Sequence, residues 1–247
     1  MSRASFKPLV LLVACAAPAT SWSERIEPDA RFRDASHRAV VLVGRWCSGT
    51  HIGGGRVLTA AHCLVPRSSR PRPDQSYGPR LPRVWIGEDS YEAQRCSLHP
   101  GAYGVQRCVD RPDTEVEASH DLAVLEYGSL PTRAMQIRLA GTLPSEAWSI
   151  GWHRRPPSHG TLHRYAGQVG LRGLRGGTLV TESNGPDEGA AFASRRGNSG
   201  GPLLIDGRVA GVLSQIGHTL PRRAYYAPTF TEGNQRWLQR VLGSSGR

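Results

Sequence analysis

Short apolar runs alternate with clusters of Gly, Pro, Asn, Asp and Ser along most of the chain. The runs occupy residues 39–43, 46–52, 56–59, 84–86, 122–125, 136–139, 148–150, 162–171, 178–181, 203–205 and 209–214. They are rich in Val, Leu, Ile and Thr and carry no helical period, so each predicts a β-strand bounded by turns. A helical stripe of useful length appears only over residues 231–242, where Thr231 offers an N-cap and Trp237, Leu238, Val241 and Leu242 share one face. Strands in series without intervening helices predict an all-β fold, a barrel or sandwich, and argue against a βαβ sheet.

Three stretches read as surface loops: residues 66–82 with five prolines, residues 152–160 with Pro156-Pro157, and the acidic, glycine-bearing residues 182–189. No fixed-period repeat and no second domain type is visible. With 247 residues the chain can bury a sizeable core, and its 29 Gly and 18 Pro agree with many short strands. A linker between two barrels fits near residues 127–134.

The formal charge of +11 would attract anionic partners at low ionic strength. Of the 31 basic residues only Lys7 is lysine, and the arginines are scattered without an aromatic-interleaved stripe. The pairs Arg154-Arg155, Arg195-Arg196 and Arg222-Arg223 read as solvated loop charges, and no specific nucleic-acid partner is expected.

The N-terminus changes the picture more. Arg3 and Lys7 precede the apolar run Leu9-Val10-Leu11-Leu12-Val13-Ala14, which is too short to span a bilayer and has the layout of an export signal. Leu12-Val13-Ala14-Cys15 resembles the lipobox of bacterial lipoproteins, in which the cysteine is acylated and becomes the first residue. The expected division is a signal over residues 1–15, a polar tether over 16–36 and a domain over 37–247, with a membrane anchor at Cys15. A second reading cleaves after Ala17-Pro18-Ala19 and gives plain secretion.

Four cysteines then remain, and an even number in an exported chain implies two disulfides. Three pairings exist. The nearest-neighbour one, Cys47 with Cys63 and Cys96 with Cys108, staples local hairpins and is the expected one. A rival zinc site of Cys47, His51, His62 and Cys63 is disfavoured because adjacent His62 and Cys63 cannot easily reach one tetrahedral ion. No metal or organic cofactor is expected.

Gly197-Asn198-Ser199-Gly200-Gly201 satisfies G-x-S-x-G, the nucleophile elbow of α/β-hydrolases. That fold needs an acid and a histidine after the serine, here Asp206 and His218, and a preceding series of βα units that this chain lacks. The opposite order finds its partners upstream, in Thr59-Ala60-Ala61-His62-Cys63 and Asp121-Leu122-Ala123-Val124-Leu125. A serine hydroxyl is a poor nucleophile at neutral pH, so an imidazole must take its proton and a buried carboxylate must fix the imidazole.

These three motifs, in this order and followed by the proline of G-N-S-G-G-P, resemble the chymotrypsin/trypsin-like serine peptidase family from about residue 38 to residue 242. Lesser echoes are Ile150-Gly151-Trp152 and the closing helix. The resemblance implies two six-stranded antiparallel β-barrels with a cleft between them, and a protein or peptide substrate. It makes Ser199 the nucleophile, His62 the general base and then acid, and Asp121 the orienting carboxylate. It also assigns the oxyanion hole to the N–H groups of Gly197 and Ser199, and bonds Ser214 to the aspartate. A catalytically silent binding module at the cell envelope is the alternative.

Cleavage-activated members carry Asp before the serine, where a new N-terminal ammonium binds it. Here Asn198 is neutral, and Arg25-Ile26-Glu27-Pro28 is a poor activation site, so activity without that cut is expected. G-N-S-G-G-P also resembles bacterial exported peptidases of the HtrA-like and glutamyl-endopeptidase-like branches, and by length a stand-alone peptidase domain is expected. For substrate binding, the pocket-floor position falls on Ala193, without the acid that attracts Arg or Lys, and Ser214 is followed by Gln215 and Ile216. A small or modest apolar side chain is expected, with His218 leaving glutamate open.

Overall fold

The computed structural model describes residues 38–44, 46–64, 81–86, 89–103, 108, 116–154, 162–183, 197–217 and 222–243. Cys15, the export signal, the tether, the Arg25 site, Ala193, Arg195-Arg196 and His218 lie outside them. So do most of the 66–82 loop and residues 184–189.

Seven strands build the first unit: β1 (Val40–Val43), β2 (Cys47–Gly53), β3 (Arg56–Thr59), β4 (Arg83–Ile86), β5 (Asp89–Glu92), β6 (Arg95–Leu98) and β7 (Ala123–Glu126). They form one antiparallel sheet in the order β5-β4-β1-β2-β3-β7-β6. Its two ends, β5 and β6, are separated in sequence only by Ala93 and Gln94, and the Gln94 N–H donates to Glu126 O at 2.7 Å. The sheet is therefore a six-strand ring whose last strand bends at Ala93-Gln94, pairing with β4 on one side of the bend and β7 on the other.

The second unit is a closed six-stranded barrel in the order β10-β13-β12-β11-β8-β9. Its strands are β8 (Glu146–Arg154), β9 (Leu162–Arg175), β10 (Thr178–Ser183), β11 (Pro202–Ile205), β12 (Arg208–Ile216) and β13 (Arg222–Pro228). A four-residue helix, α1 (Pro100–Tyr103), follows β6, and α2 (Glu232–Gly243) ends the described chain. The carbonyl of Thr231 accepts from the Gln235 N–H at 2.8 Å, so the helix starts where its cap residue stands.

Strand β11 shows why its apolar run is unbroken, with all four residues buried. Leu203 and Ile205 point into the barrel beside Leu179, Leu213 and Tyr226, whereas Leu204 joins the cluster of Val57, Leu58, Val124, Trp237 and Leu238. One face fills the barrel, and the other packs it against the first unit. Burying a leucine on each face is worth about 2 kcal/mol apiece, so a strand that serves both cores cannot alternate apolar with polar.

The strand pattern departs from expectation in three places. Residues 136–139 make only an isolated parallel bridge, Ile137 with Val209. The 152–160 loop begins later than its composition implies, because β8 runs to Arg154 paired with Leu162. Strands β5 and β6, with sequences DSYE and RCSL, escape the apolar pattern because they are held by backbone pairing to strongly apolar neighbours, whereas β13, RRAYYAP, opens on two arginines before its buried Ala224, Tyr226, Ala227 and Pro228.

Candidate active site

Pairing of β3 with β7 sets Thr59 opposite Ala123. At this one end of the ladder His62 lies three residues after Thr59, in a one-turn 3₁₀ helix (Ala61–Cys63), and Asp121 two residues before Ala123. Local ladder register thus delivers the imidazole to the carboxylate. His62 Nδ1 is 2.6 Å from Asp121 Oδ2, and the His62 backbone N–H donates to Oδ1 at 2.9 Å. Ser214 Oγ donates to Oδ2 at 2.6 Å from the far barrel.

Asp121 is fully buried, and burial alone would raise its pKa. The charge of His62 and the hydrogen bonds from His62 and Ser214 outweigh that, so the carboxyl is held below its ordinary value. An ionised carboxylate only accepts, so the proton of neutral His62 sits on Nδ1, and Nε2 is left with its lone pair.

The serine loop meets this group through backbone. Gly200 N–H donates to Leu213 O at 2.8 Å and Leu213 N–H to Gly201 O at 2.9 Å, which extends the β11–β12 ladder and ties the residues after Ser199 to the one before Ser214. Gly200, at φ 82°, has no room for a Cβ, which would strike the Ser48 carbonyl and the Thr59 hydroxyl of the first unit. Gly197 has φ 105°, a conformation that side chains rarely adopt. The two glycines flanking Asn198 and Ser199 are therefore required by backbone shape at one position and by interbarrel contact at the other.

Asn198 is fully buried and packs on β8, where a Cβ at Gly151 would come within 2.9 Å of the Asn198 Cβ. This explains the glycine of Ile150-Gly151-Trp152. Ser48 was not singled out by sequence. Completely buried, it donates from Oγ to Gly197 O at 3.0 Å, accepts from the Trp152 N–H at 2.8 Å, and donates its own N–H to Ser199 O at 2.7 Å. Its only sequence signal is its place next to Cys47.

Gln215 is exposed and Ile216 half-buried, both beyond a register shift that follows Leu213 in the β12–β13 ladder. Cys47 is bonded to Cys63 and Cys96 to Cys108, with Cα separations of 6.0 and 6.2 Å. Ligand atoms of Cys47, His62 and Cys63 lie within 4.8 Å of one another. Both sulfurs are spent in the disulfide and Nδ1 faces Asp121, so the group offers no thiolate to a metal.

Asp121 is also fixed from behind. The one-turn helix Ala118–His120 is tied to α2 by Asn234 Nδ2, which donates to Ser119 O at 2.8 Å and Pro228 O at 2.6 Å. Neither Asn234 nor His99 stood out in the sequence. His99 is buried, stacked on His120 at 4.7 Å and edge-on to Trp237 at 5.2 Å. Its pKa is lowered to about 4, first by burial and then by His120, with Arg240 adding to this and a hydrogen bond to the Gly233 backbone opposing it.

A sequence model described as Trypsin matches residues 29–233 of the chain. The chain belongs to the trypsin family. Human kallikrein-8 is 27% identical over 226 residues, covering 81% of this chain and 78% of that protein. Mouse neuropsin, a serine protease expressed in the limbic system of mouse brain, superposes with a TM-score of 0.57 at 17% identity, over 84% of this chain and 95% of that one. The two barrel-like units and C-terminal helix of this trypsin-family chain are the chymotrypsin fold. Family membership makes it a hydrolase of peptide bonds with protein or peptide substrates, and its two disulfides belong to an exported, oxidising environment.

His99 gives a stability prediction. Its pKa of about 4 in the folded chain is below the ordinary 6.5, so between these values the unfolded chain binds more protons. The stability due to neutral His99 is complete above pH 6.5 and lost as the pH falls toward 4. Tm measured across this window should fall less steeply in His99→Phe than in the parent chain, and an unchanged slope would reject the assignment.

Proposed function

We propose that the chain is a serine endopeptidase acting through an acyl-enzyme on Ser199. The observation that carries the reading is the carboxylate of Asp121, which is fully buried yet receives Nδ1–H and N–H from His62 and O–H from Ser214. Removing a carboxylate from water costs several kcal/mol. Three hydrogen bonds offset that cost, and Nδ1 is the ring nitrogen they engage.

In the proposed reaction Ser199 Oγ attacks the scissile carbonyl carbon while His62 Nε2 takes its proton. The carbonyl oxygen becomes an oxyanion facing the N–H groups of Gly197 and Ser199. Collapse breaks the C–N bond, and His62 returns the proton to the leaving amine. Water then attacks the acyl group, losing its proton to His62, and that proton returns to Ser199 Oγ as the acid leaves. Asp121 holds the tautomer and stabilises the imidazolium throughout.

The neutral, buried Asn198, packed on Gly151, supports a bacterial exported branch that needs no ammonium partner. The full chain, uncut at Arg25, should label at Ser199 with a fluorophosphonate probe. Ser199→Ala should abolish labelling, and Asp121→Asn should slow it about ten-thousandfold. An inert, folded parent chain would instead make this a peptidase-like binding module.

Specificity follows from the pocket residues assigned to Ala193, Ser214, Gln215 and Ile216. With no acid at Ala193, a small or modest apolar residue is preferred before the cut. Peptide-library profiling checks this, and dominant cleavage after Arg would overturn it.

For localisation, residues 1–15 act as a lipoprotein signal, residues 16–36 as a tether, and residues 37–247 as the peptidase domain. Among the described residues no helix is long and apolar enough to cross a membrane. Cys15→Ser should abolish lipid labelling and release the protein from membranes, whereas unchanged membrane retention would exclude acylation at Cys15.

A further inference from the structure

Four hydrogen bonds converge on one serine outside the triad. Ser48 uses its hydroxyl twice, donating to Gly197 O at 3.0 Å and accepting from Trp152 N–H at 2.8 Å. Its backbone N–H donates to Ser199 O at 2.7 Å, and its carbonyl accepts from Thr59 Oγ1, also at 2.7 Å. The carbonyls on both sides of Asn198 are thereby pinned to a single residue of the opposite unit.

That geometry bears on the direction of two N–H groups. A carbonyl held at Gly197 fixes the plane of the Gly197–Asn198 peptide, and one held at Ser199 fixes the plane of the next peptide but one. The dihedrals between these planes set where the Ser199 N–H aims, and the Gly197 dihedrals, measured from the first plane, set where the Gly197 N–H aims. Gly197 has no side chain to restrict its own rotation, and its φ of 105° is one of several conformations open to glycine. An external bond is therefore needed to select one. Ser48 supplies it from a strand whose first residue, Cys47, is disulfide-bonded to the neighbour of His62. Trp152, at the other side of the hydroxyl, is itself anchored by its indole N–H to Val40 O at 3.2 Å.

We propose that Ser48 is a positioning residue for the oxyanion hole, its hydroxyl locking the Gly197–Ser199 loop in the reactive shape where Asn198 offers no charge for an ion pair. The inference rests on the peptidase reading above. The Ser48 bonds go to the backbone of Gly197, Ser199 and Trp152 and to the Thr59 hydroxyl, so its loss should reduce transition-state stabilisation and leave ground-state binding in place.

The test uses the full chain with p-nitrophenyl acetate as substrate and fluorophosphonate titration to count active sites. Ser48→Ala should lower kcat per active site about tenfold to a hundredfold, less than or comparable to the loss of one oxyanion donor. KM should change by less than about threefold, because the bound ground state does not use the oxyanion contacts fully. Ser48→Thr, which keeps the hydroxyl, should restore most of the rate. Ser48→Gly removes the same hydroxyl and carries the same expectation, so a misfolded alanine variant does not remove the test. A folded Ser48→Ala or Ser48→Gly chain with parent kcat and only a lower Tm would overturn the proposal and leave the peptidase reading standing. A folded parent chain that neither titrates nor hydrolyses the ester would overturn both.

Discussion

The interaction on which the site depends is the solvation of one buried carboxylate. Asp121 is shut off from bulk solvent, so its stabilising contacts come from the fold, and three donors from two residues supply them: the His62 backbone, the His62 ring and the Ser214 hydroxyl. Two belong to the first unit and one to the second. Separating the units would strip the Ser214 bond and leave the charge under-solvated, at a cost of a few kcal/mol. The carboxylate that orients the imidazole therefore also helps hold the units in register, and the geometry at His62 and the tertiary structure share one energetic term.

Close approach supplies the rest of that register. Gly200 lies against the carbonyl of Ser48 and the hydroxyl of Thr59, and Gly151 leaves the space that Asn198 occupies. No side chain at either glycine could be accommodated without moving backbone. Behind Asp121, Asn234 and His99, stacked on His120 and edge-on to Trp237, hold the preceding one-turn helix onto α2. The carboxylate is thus pressed from one side by the far barrel and from the other by the last helix. The helix counts as part of the site's support.

Much of this was legible in the chain because the chemistry demands particular residue types in particular settings. The strands flanking His62 and Asp121 carry Leu58 and Val124, whose burial sets the β3–β7 register, so the motifs and the core residues are the same letters. Ser48, Asn234 and His99 were not legible. Each works through contacts across a large sequence separation, and a buried serine or asparagine looks like a turn residue until its partners are known. Strands β5 and β6 were hidden for a related reason: their pairing partners supply the apolar surface. Residues 136–139 erred the other way, being apolar enough to cover Val209 without entering a sheet.

The covalent bonds are distributed unevenly, and that sharpens the dependence on Asp121. Both disulfides lie wholly on the N-terminal side of β8, with sequence separations of 16 and 12 residues, each worth about 3 kcal/mol by loop closure. One ties the start of β2 to the turn bearing His62, so the imidazole and Ser48 are fixed to the same strand before any contact with the barrel. Among the described residues no disulfide reaches the barrel that carries Ser199 and Ser214. The Ser199 loop consequently joins the first unit through non-covalent contacts: the Leu204 face of β11, the Gly200 approach, the Ser48 hydrogen bonds and the Ser214–Asp121 bond. A crosslinked half presents His62 and Asp121, and the half in which no disulfide is found among the described residues brings Ser199 and Ser214 to them, so correct docking of the halves assembles the site.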